Sequence, residues 1–322
     1  MNTTRSRFAL VLGSLVALSG CAATSHPAAP ASLGTSASGS ALEAVVDLPG
    51  PLTVETIAAG DWEVPRSGLI NLDDPKAKAA HLADGPEPIK IFVHAIHHPT
   101  KGLFLIDTGV ERAFASDPDH ALVHGVFGSL AHVDKLKVHV DTASLVAREG
   151  EPVKGVFLTH LHLDHIMGLR DLPASTPVFV GVGDAEEKSM MNALQASIFN
   201  AALDGKGALN EVHFAPDPTG EFDGVIDVFG DGSLWAIAVP GHTPGSMAFV
   251  ARTPNGPVLF TGDACHSAWG WKNGVEPGTF SSDRPKSAVS LQRLEAFAAR
   301  HPAMQVRLGH QELEGASATG SN

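Results

Sequence analysis

Thr159-His160-Leu161-His162-Leu163-Asp164-His165 follows the apolar run Val153 to Leu158, whose composition suits a buried strand. If the segment stays extended past that strand, period-two alternation sends His160, His162 and Asp164 to one side and Leu161 and Leu163 to the other. The leucines can then anchor the loop while the polar groups project. His165 breaks the alternation, so it and Asp164 leave the backbone in different directions and can serve a second ion beside the one held by His160 and His162. Imidazole nitrogen with carboxylate oxygen suits borderline-soft divalent ions, zinc first among them, and four residues cannot complete two shells.

Working outward, four more apolar runs end in His or Asp: Leu103–Ile106 into Asp107, Leu234–Val239 into Pro240-Gly241-His242, Pro257–Phe260 into Thr261-Gly262-Asp263, and Gln305–Leu308 into Gly309-His310. Strand ends on one edge of a sheet make a shared site. His242, Asp263 and His310 supply the missing ligands, and a carboxylate between two ions is a natural bridge because it spreads one negative charge over two cations. The pattern around these runs alternates. Ile89–Ala95 and Leu103–Ile106 read as a hairpin, Ala143–Glu149 as a helix, and Asp184–Leu203 as a long helix capped by Asp184. Strands at Val225–Phe229 and Met247–Arg252 and a helix at Lys286–Arg300 complete a layered α/β arrangement.

Taken together, His160-x-His162-x-Asp164-His165, Gly241-His-Thr-Pro-Gly245, Gly262-Asp263 and Gly309-His310 resemble the signature of the metallo-β-lactamase-fold superfamily of metallohydrolases, over roughly Leu103 to Gln311. The resemblance implies a four-layer αββα sandwich with two divalent ions, zinc favoured, at one edge. One ion would take His160, His162 and His242, the other Asp164, His165 and His310, with Asp263 bridging. Asp107 matches a position where a carboxylate orients a ligand histidine; the alternative is a plain turn residue. Two cations roughly 3.5–4 Å apart lower the pKa of a shared water from about 15.7 towards about 7, so a metal-bound hydroxide is the expected nucleophile, attacking a lactone or ester-type carbonyl in a small-molecule substrate. Asp164 is expected to orient the water or pass its proton.

Among relatives implied by the resemblance, quorum-signal (acyl-homoserine) lactonases are nearest in motifs, and several carry a Tyr three residues after the bridging Asp. Here that residue is His266, and the chain has no Tyr, so either imidazole takes over as donor of a hydrogen bond or a proton in catalysis, or that role is absent and His266 is a supporting or rim histidine. Cys265 reads as a small buried hydrophobe, not a ligand. Trp269, Trp271, His97 and His98 either line the mouth of the cleft or pack ordinarily. Gln311 stands where Asp is commoner after the last ligand, which would weaken support for His310. The competing functions are a β-lactamase, disfavoured because those enzymes generally lack the bridging Asp, a small-phosphoester hydrolase, and a non-catalytic lipoprotein that binds metal or ligand.

The 322 residues carry 35 acidic against 22 basic side chains and a formal charge of −13, which argues against nucleic acid as a partner. Arg5 and Arg7 precede the apolar run Phe8–Leu18, too short to span a bilayer, as in a secretory signal. Leu18-Ser-Gly-Cys21 resembles the lipobox of bacterial lipoproteins. That implies cleavage after residue 20, a membrane anchor through lipid on Cys21, and, with Ala22 next, the outer membrane facing the periplasm. Cleavage removes two arginines and no acid, taking −13 to −15. Residues 21–40, poor in hydrophobic mass and uncharged, read as the lipidated Cys and a flexible tether, and 41–322 as one hydrolase domain. With Cys21 lipidated, only Cys265 remains and no intrachain disulfide forms.

Overall fold

The expected hairpin lies inside a larger sheet. In the computed structural model, which describes residues 22–313, Pro86–His98 pairs antiparallel with Gly102–Ile106 on one side and Thr53–Pro65 on the other. From Gly102–Ile106 the sheet continues in parallel through Val153–Phe157, Val178–Gly181, Leu209–Val212 and Ala28–Pro30, and Lys137–Val138 closes the far side. Parallel neighbours need crossovers, and the helices Thr142–Glu149 and Met190–Leu203 lie on two of them. A second sheet of six strands runs Gln305–Arg307, Gly256–Phe260, Met247–Thr253, Leu234–Ala238, Val225–Asp227 and Thr35–Ala37.

Strand alternation explains why the two sheets stack. Phe157, Ile96 and Ile106 point from the first sheet to meet Met247, Phe249, Ala251, Val258 and Phe260 from the second. On the opposite face of the first sheet, Val156, Ile91, Val93 and Ala95 pack with Leu145 and Phe199 of the crossover helices. Ala248, Val250 and Leu259 face outward from the second sheet onto Leu294 and Phe297 of helix Arg284–Arg300 and Leu42 of helix Gly39–Glu43. Helix, sheet, sheet, helix is the αββα sandwich the motifs implied.

Three boundaries differ from the sequence reading. The segment expected to be a tether is folded: Ala23 and Thr24 are buried, Ala28–Pro30 and Thr35–Ala37 are edge strands of the two sheets, and helix Gly39–Glu43 is capped by Ser38. Edge pairing is made by backbone N–H and C=O groups and needs no hydrophobic mass, so composition missed it, and the domain starts by residue 22, not 41. Asp184 does not cap a long helix; residues 182–187 form turns, and helix Met190–Leu203 is capped by Ser189, whose hydroxyl accepts from Asn192 N. The long strand Thr53–Pro65 went unread because Ala58-Ala-Gly60 interrupts its alternation where the register shifts. The signal and Cys21 lie outside the described residues. Among the described residues no helix is long and apolar enough to cross a membrane.

Candidate metal centre

All five strand ends named from the sequence meet at one edge. Leu161 and Leu163 are buried in the helix-side core as expected, but the extended segment stops at His162. Leu163–Ile166 then forms a short helical turn, and that turn, rather than continued alternation, carries Asp164 and His165 away from His160 and His162. The donors fall into groups whose ligand atoms lie within 4.8 Å of one another: His160, His162 and His242; Asp164, His165 and His310; and, between them, His160, His165 and Asp263. The seven residues thus occupy two three-donor sites with Asp263 in the middle. A fourth group, His242, Asp263 and His266, adds one residue to that set.

The centre is Oδ2 of Asp263. Around it stand Nε2 of His160 at 3.6 Å, His165 at 3.4 Å, His242 at 3.4 Å, His310 at 3.3 Å and His266 at 2.9 Å. Nε2 of His160, Nε2 of His165 and Oδ1 of Asp263 are buried without a hydrogen-bond partner. Orphaned buried polar atoms are costly unless something fills the space between them, and lone pairs converging at these separations fit two divalent cations. Close backbone approach makes this possible: a Cβ on Gly309 would collide with Oδ1 of Asp263. Gly241, before His242, has φ of +137°, a conformation that side chains rarely adopt.

Each imidazole is aimed by its other nitrogen. Nδ1 of His165 donates to Oδ2 of Asp107 at 2.8 Å, and Asp107 also accepts from Thr159 N at 2.8 Å, so one carboxylate sets the strand end and a histidine together. Asp107 does this from a left-handed conformation, φ +57°. His310 is aimed by Lys90 O at 2.9 Å, and Gln311 instead ties Glu87 to Ala268 N, so the support lost with the commoner Asp comes from a backbone carbonyl. Nδ1 of His242 meets Ser281 Oγ at 3.3 Å.

The sequence reading gave Asp184 only a capping role and missed what it does at the site. Its buried carboxylate accepts from Leu161 N at 2.9 Å, between His160 and His162, and from Gly245 N at 2.6 Å, so it clamps two ligand loops against each other. Burial pushes it up to about 7 against those bonds. The available signal was its place three residues beyond Val178–Gly181, a strand that was not read. His97 and His98 are not at the mouth: His98 pairs with Gly102 at the hairpin turn, while His94 pairs with Ile106 at the ligand end. Trp269 and Trp271 pack partly buried against the helix-side cores, and Cys265 is a buried thiol whose pKa burial raises.

Charge divides the cage. Burial, with crowding by neighbouring imidazoles, holds His160 and His242 well below the ordinary histidine value and His162 at about 4, so these three present free lone pairs. Burial works the same way on His165 and His310, but Asp107 raises the former, and Asp263 with Asp164 lifts the latter to about 10. Without metal the second site therefore holds protons that binding must release.

The sequence model of the metallo-beta-lactamase superfamily matches residues 88–310. The chain is 30% identical over 246 residues to the N-acyl homoserine lactonase AttM of Agrobacterium fabrum, covering 73% of this chain and 86% of that protein. It is 31% identical over 173 residues to the gamma-lactamase MBL2 of Gibberella moniliformis, covering 50% of this chain and 70% of that one. Among solved structures, a quorum-quenching N-acyl homoserine lactone lactonase superposes with a TM-score of 0.59 at 16% identity over 85% of this chain and 97% of its own. AidC, a dizinc quorum-quenching lactonase, does so with 0.54 at 16% over 83% and 90%. With two three-donor sites at one edge of an αββα sandwich and a family match across most of its length, the chain belongs to the metallo-beta-lactamase superfamily of metal-dependent hydrolases.

Proposed function

We propose that the protein is a dinuclear-metal hydrolase that opens lactones, with N-acyl homoserine lactones as the substrate class. The observation that carries this reading is the convergence of both donor sets on one oxygen of Asp263, joined to likeness over most of its length to a lactonase of that class. His160, His162 and His242 would hold one ion and Asp164, His165 and His310 the other, with Asp263 between. Zinc suits this nitrogen and oxygen set. When bound, the two ions lower the pKa of a water towards about 7 and polarise the lactone carbonyl.

This chain's own residues do the rest. Asp164 is partly exposed, with a side chain 21% accessible against 3% for Asp263, so it faces an incoming substrate. Burial would raise it, but His165 and His310 hold it well below the usual carboxylate range, so it is ionised and able to accept a proton. In the proposed reaction the carboxylate of Asp164 takes the proton from the attacking water, the carbonyl carbon gains that oxygen, the ring C–O bond breaks, and the proton passes to the leaving alkoxide. Asp107 keeps the His165 ring from turning while this happens, and Asp184 keeps the two ligand loops in place.

The test is a pH-stat assay of purified zinc-loaded protein on acyl homoserine lactones, p-nitrophenyl esters, a γ-lactam, nitrocefin and bis-p-nitrophenyl phosphate. Lactone opening with the highest kcat/KM supports the reading; turnover of the phosphodiester or nitrocefin with lactones untouched overturns it. The γ-lactam is included because of the likeness to MBL2.

A second part of the proposal concerns place: Leu18-Ser-Gly-Cys21 supports a lipid anchor on Cys21 at the outer membrane, facing the periplasm. Since Ala23 and Thr24 are already buried in the fold, such an anchor would hold the domain close to the lipid surface. Labelled palmitate incorporated into the full chain and absent from Cys21→Ser supports it; equal labelling of both, or of neither, overturns it.

A further inference from the structure

We propose that His266 is an eighth protein ligand of the metal centre, binding through Nε2 beside His242 and Asp263, instead of a donor to the substrate. This rests on the dinuclear reading above.

Three observations point the same way. First, the ring of His266 is 1% exposed and wedged among the other donors, with centroids 4.9 Å from His242 and 5.5 Å from His310. Second, its orientation is that of the ligands. Nδ1 lies 3.0 Å from Leu69 O, which can only accept, so Nδ1 donates there and Nε2 is the nitrogen left to face the cage. His310 is held in the same way, Nδ1 on Lys90 O and Nε2 towards Asp263. Third, Nε2 of His266 faces Oδ2 of Asp263 at 2.9 Å. With Nδ1 committed to Leu69 O, a cation entering between these two atoms would find both as donors.

The separations also fit. Ligand atoms held about 2.0–2.1 Å from one ion stand about 3.3 Å apart at a tetrahedral angle and about 2.9 Å apart at a right angle. Oδ2 of Asp263 is 3.3–3.6 Å from His160, His165, His242 and His310, and 2.9 Å from His266. The cage uses the shorter separation elsewhere, between Nδ1 of His162 and Nε2 of His242. His266 is therefore placed as an added ligand of a five-coordinate ion, and His242, Asp263 and His266 form a three-donor group by themselves. A donating role towards substrate is disfavoured because Nδ1 is held by Leu69 O and Nε2 faces Asp263, so neither ring nitrogen is turned to an open face.

The experiment counts zinc-bound imidazoles in the unaltered protein by nitrogen-15 NMR of labelled histidine, so it does not depend on a variant folding. Six ligated rings, His160, His162, His165, His242, His266 and His310, are expected. Five, with the Nε2 resonance of His266 unshifted by zinc, overturn the proposal and leave the dinuclear centre standing; none overturns both. Cobalt-loaded His266→Gln gives a second measure. A changed visible spectrum with a 10-fold or greater loss of affinity for one ion, read by chelator competition, supports ligation. An unchanged spectrum and affinity overturn it.

Discussion

The two ends of the first sheet each carry clustered histidines, and they have opposite fates. At one end His160, His162 and His165 meet His242, Asp263 and His310, and Nε2 of His160 and of His165 have no hydrogen-bond partner. At the other, Nε2 of His97 lies 3.0 Å from Glu149, its Nδ1 2.9 Å from Glu151, and Nε2 of His98 2.8 Å from Asp231. Both clusters are rich in imidazole and carboxylate. What separates them is arithmetic of lone pairs: the hairpin end gives every ring nitrogen a partner of its own, three carboxylates and, for Nδ1 of His98, the backbone N–H of Thr100 and Lys101, while the metal end gathers five Nε2 atoms around a single oxygen. A metal centre is an excess of converging acceptors, which residue counts do not reveal.

The largest expected effect comes from breaking the metal end directly. His162→Ala should lose one ion and lower kcat/KM for lactones about 10³-fold or more, the several kcal/mol that a metal contributes to such a transition state. Metal analysis beside the assay checks both. If activity survives with one ion, the excess of donors is not what drives the chemistry.

Next is the clamp. Asp184→Ala removes the carboxylate that accepts from Leu161 N and Gly245 N. Metal affinity should fall 10- to 100-fold and kcat roughly 10²-fold, as expected when reacting groups shift by about 1 Å. Asp184→Asn sharpens the test: an amide offers one oxygen where two N–H groups point, so the defect should persist in part.

One more histidine, His94, sits at the ligand end of the sheet outside the donor groups. Burial between the sheets, with Arg307 and His165 nearby, pushes His94 down to about 3 from 6.5. The unfolded chain therefore binds a proton there that the folded chain does not. Its contribution is intact above pH 6.5 and is lost as pH falls towards 3, by up to about 1.4 kcal/mol per pH unit. Urea unfolding of metal-free protein at pH 7 and pH 5 should show a shallower loss for His94→Gln than for the parent.

The smallest effect is predicted at the hairpin end. His97→Gln and His98→Gln should keep both ions and kcat/KM within about twofold, and cost about 1 kcal/mol or less in stability, the usual worth of partly exposed ion pairs. Loss of metal in either variant would erase the distinction between the ends.

The amino-acid sequence alone marked the candidate donors and the layers. Each group of donors follows an apolar run, and those runs survive in the fold as strands because a strand's period is set by backbone geometry, independent of its partners. The edge strands at residues 28–37 and the interrupted strand Thr53–Pro65 were not legible, since pairing through backbone groups and a bulge at Ala58–Gly60 leave no hydrophobic signature. Only the tertiary structure decided that Asp184 clamps two loops, that His97 and His98 face away from the metals, and that the N–H of His266 is taken by Leu69. Those facts depend on which atoms, 23 to 197 residues apart in the chain, come within hydrogen-bonding distance. Such contacts are a property of packing, and no local pattern encodes them.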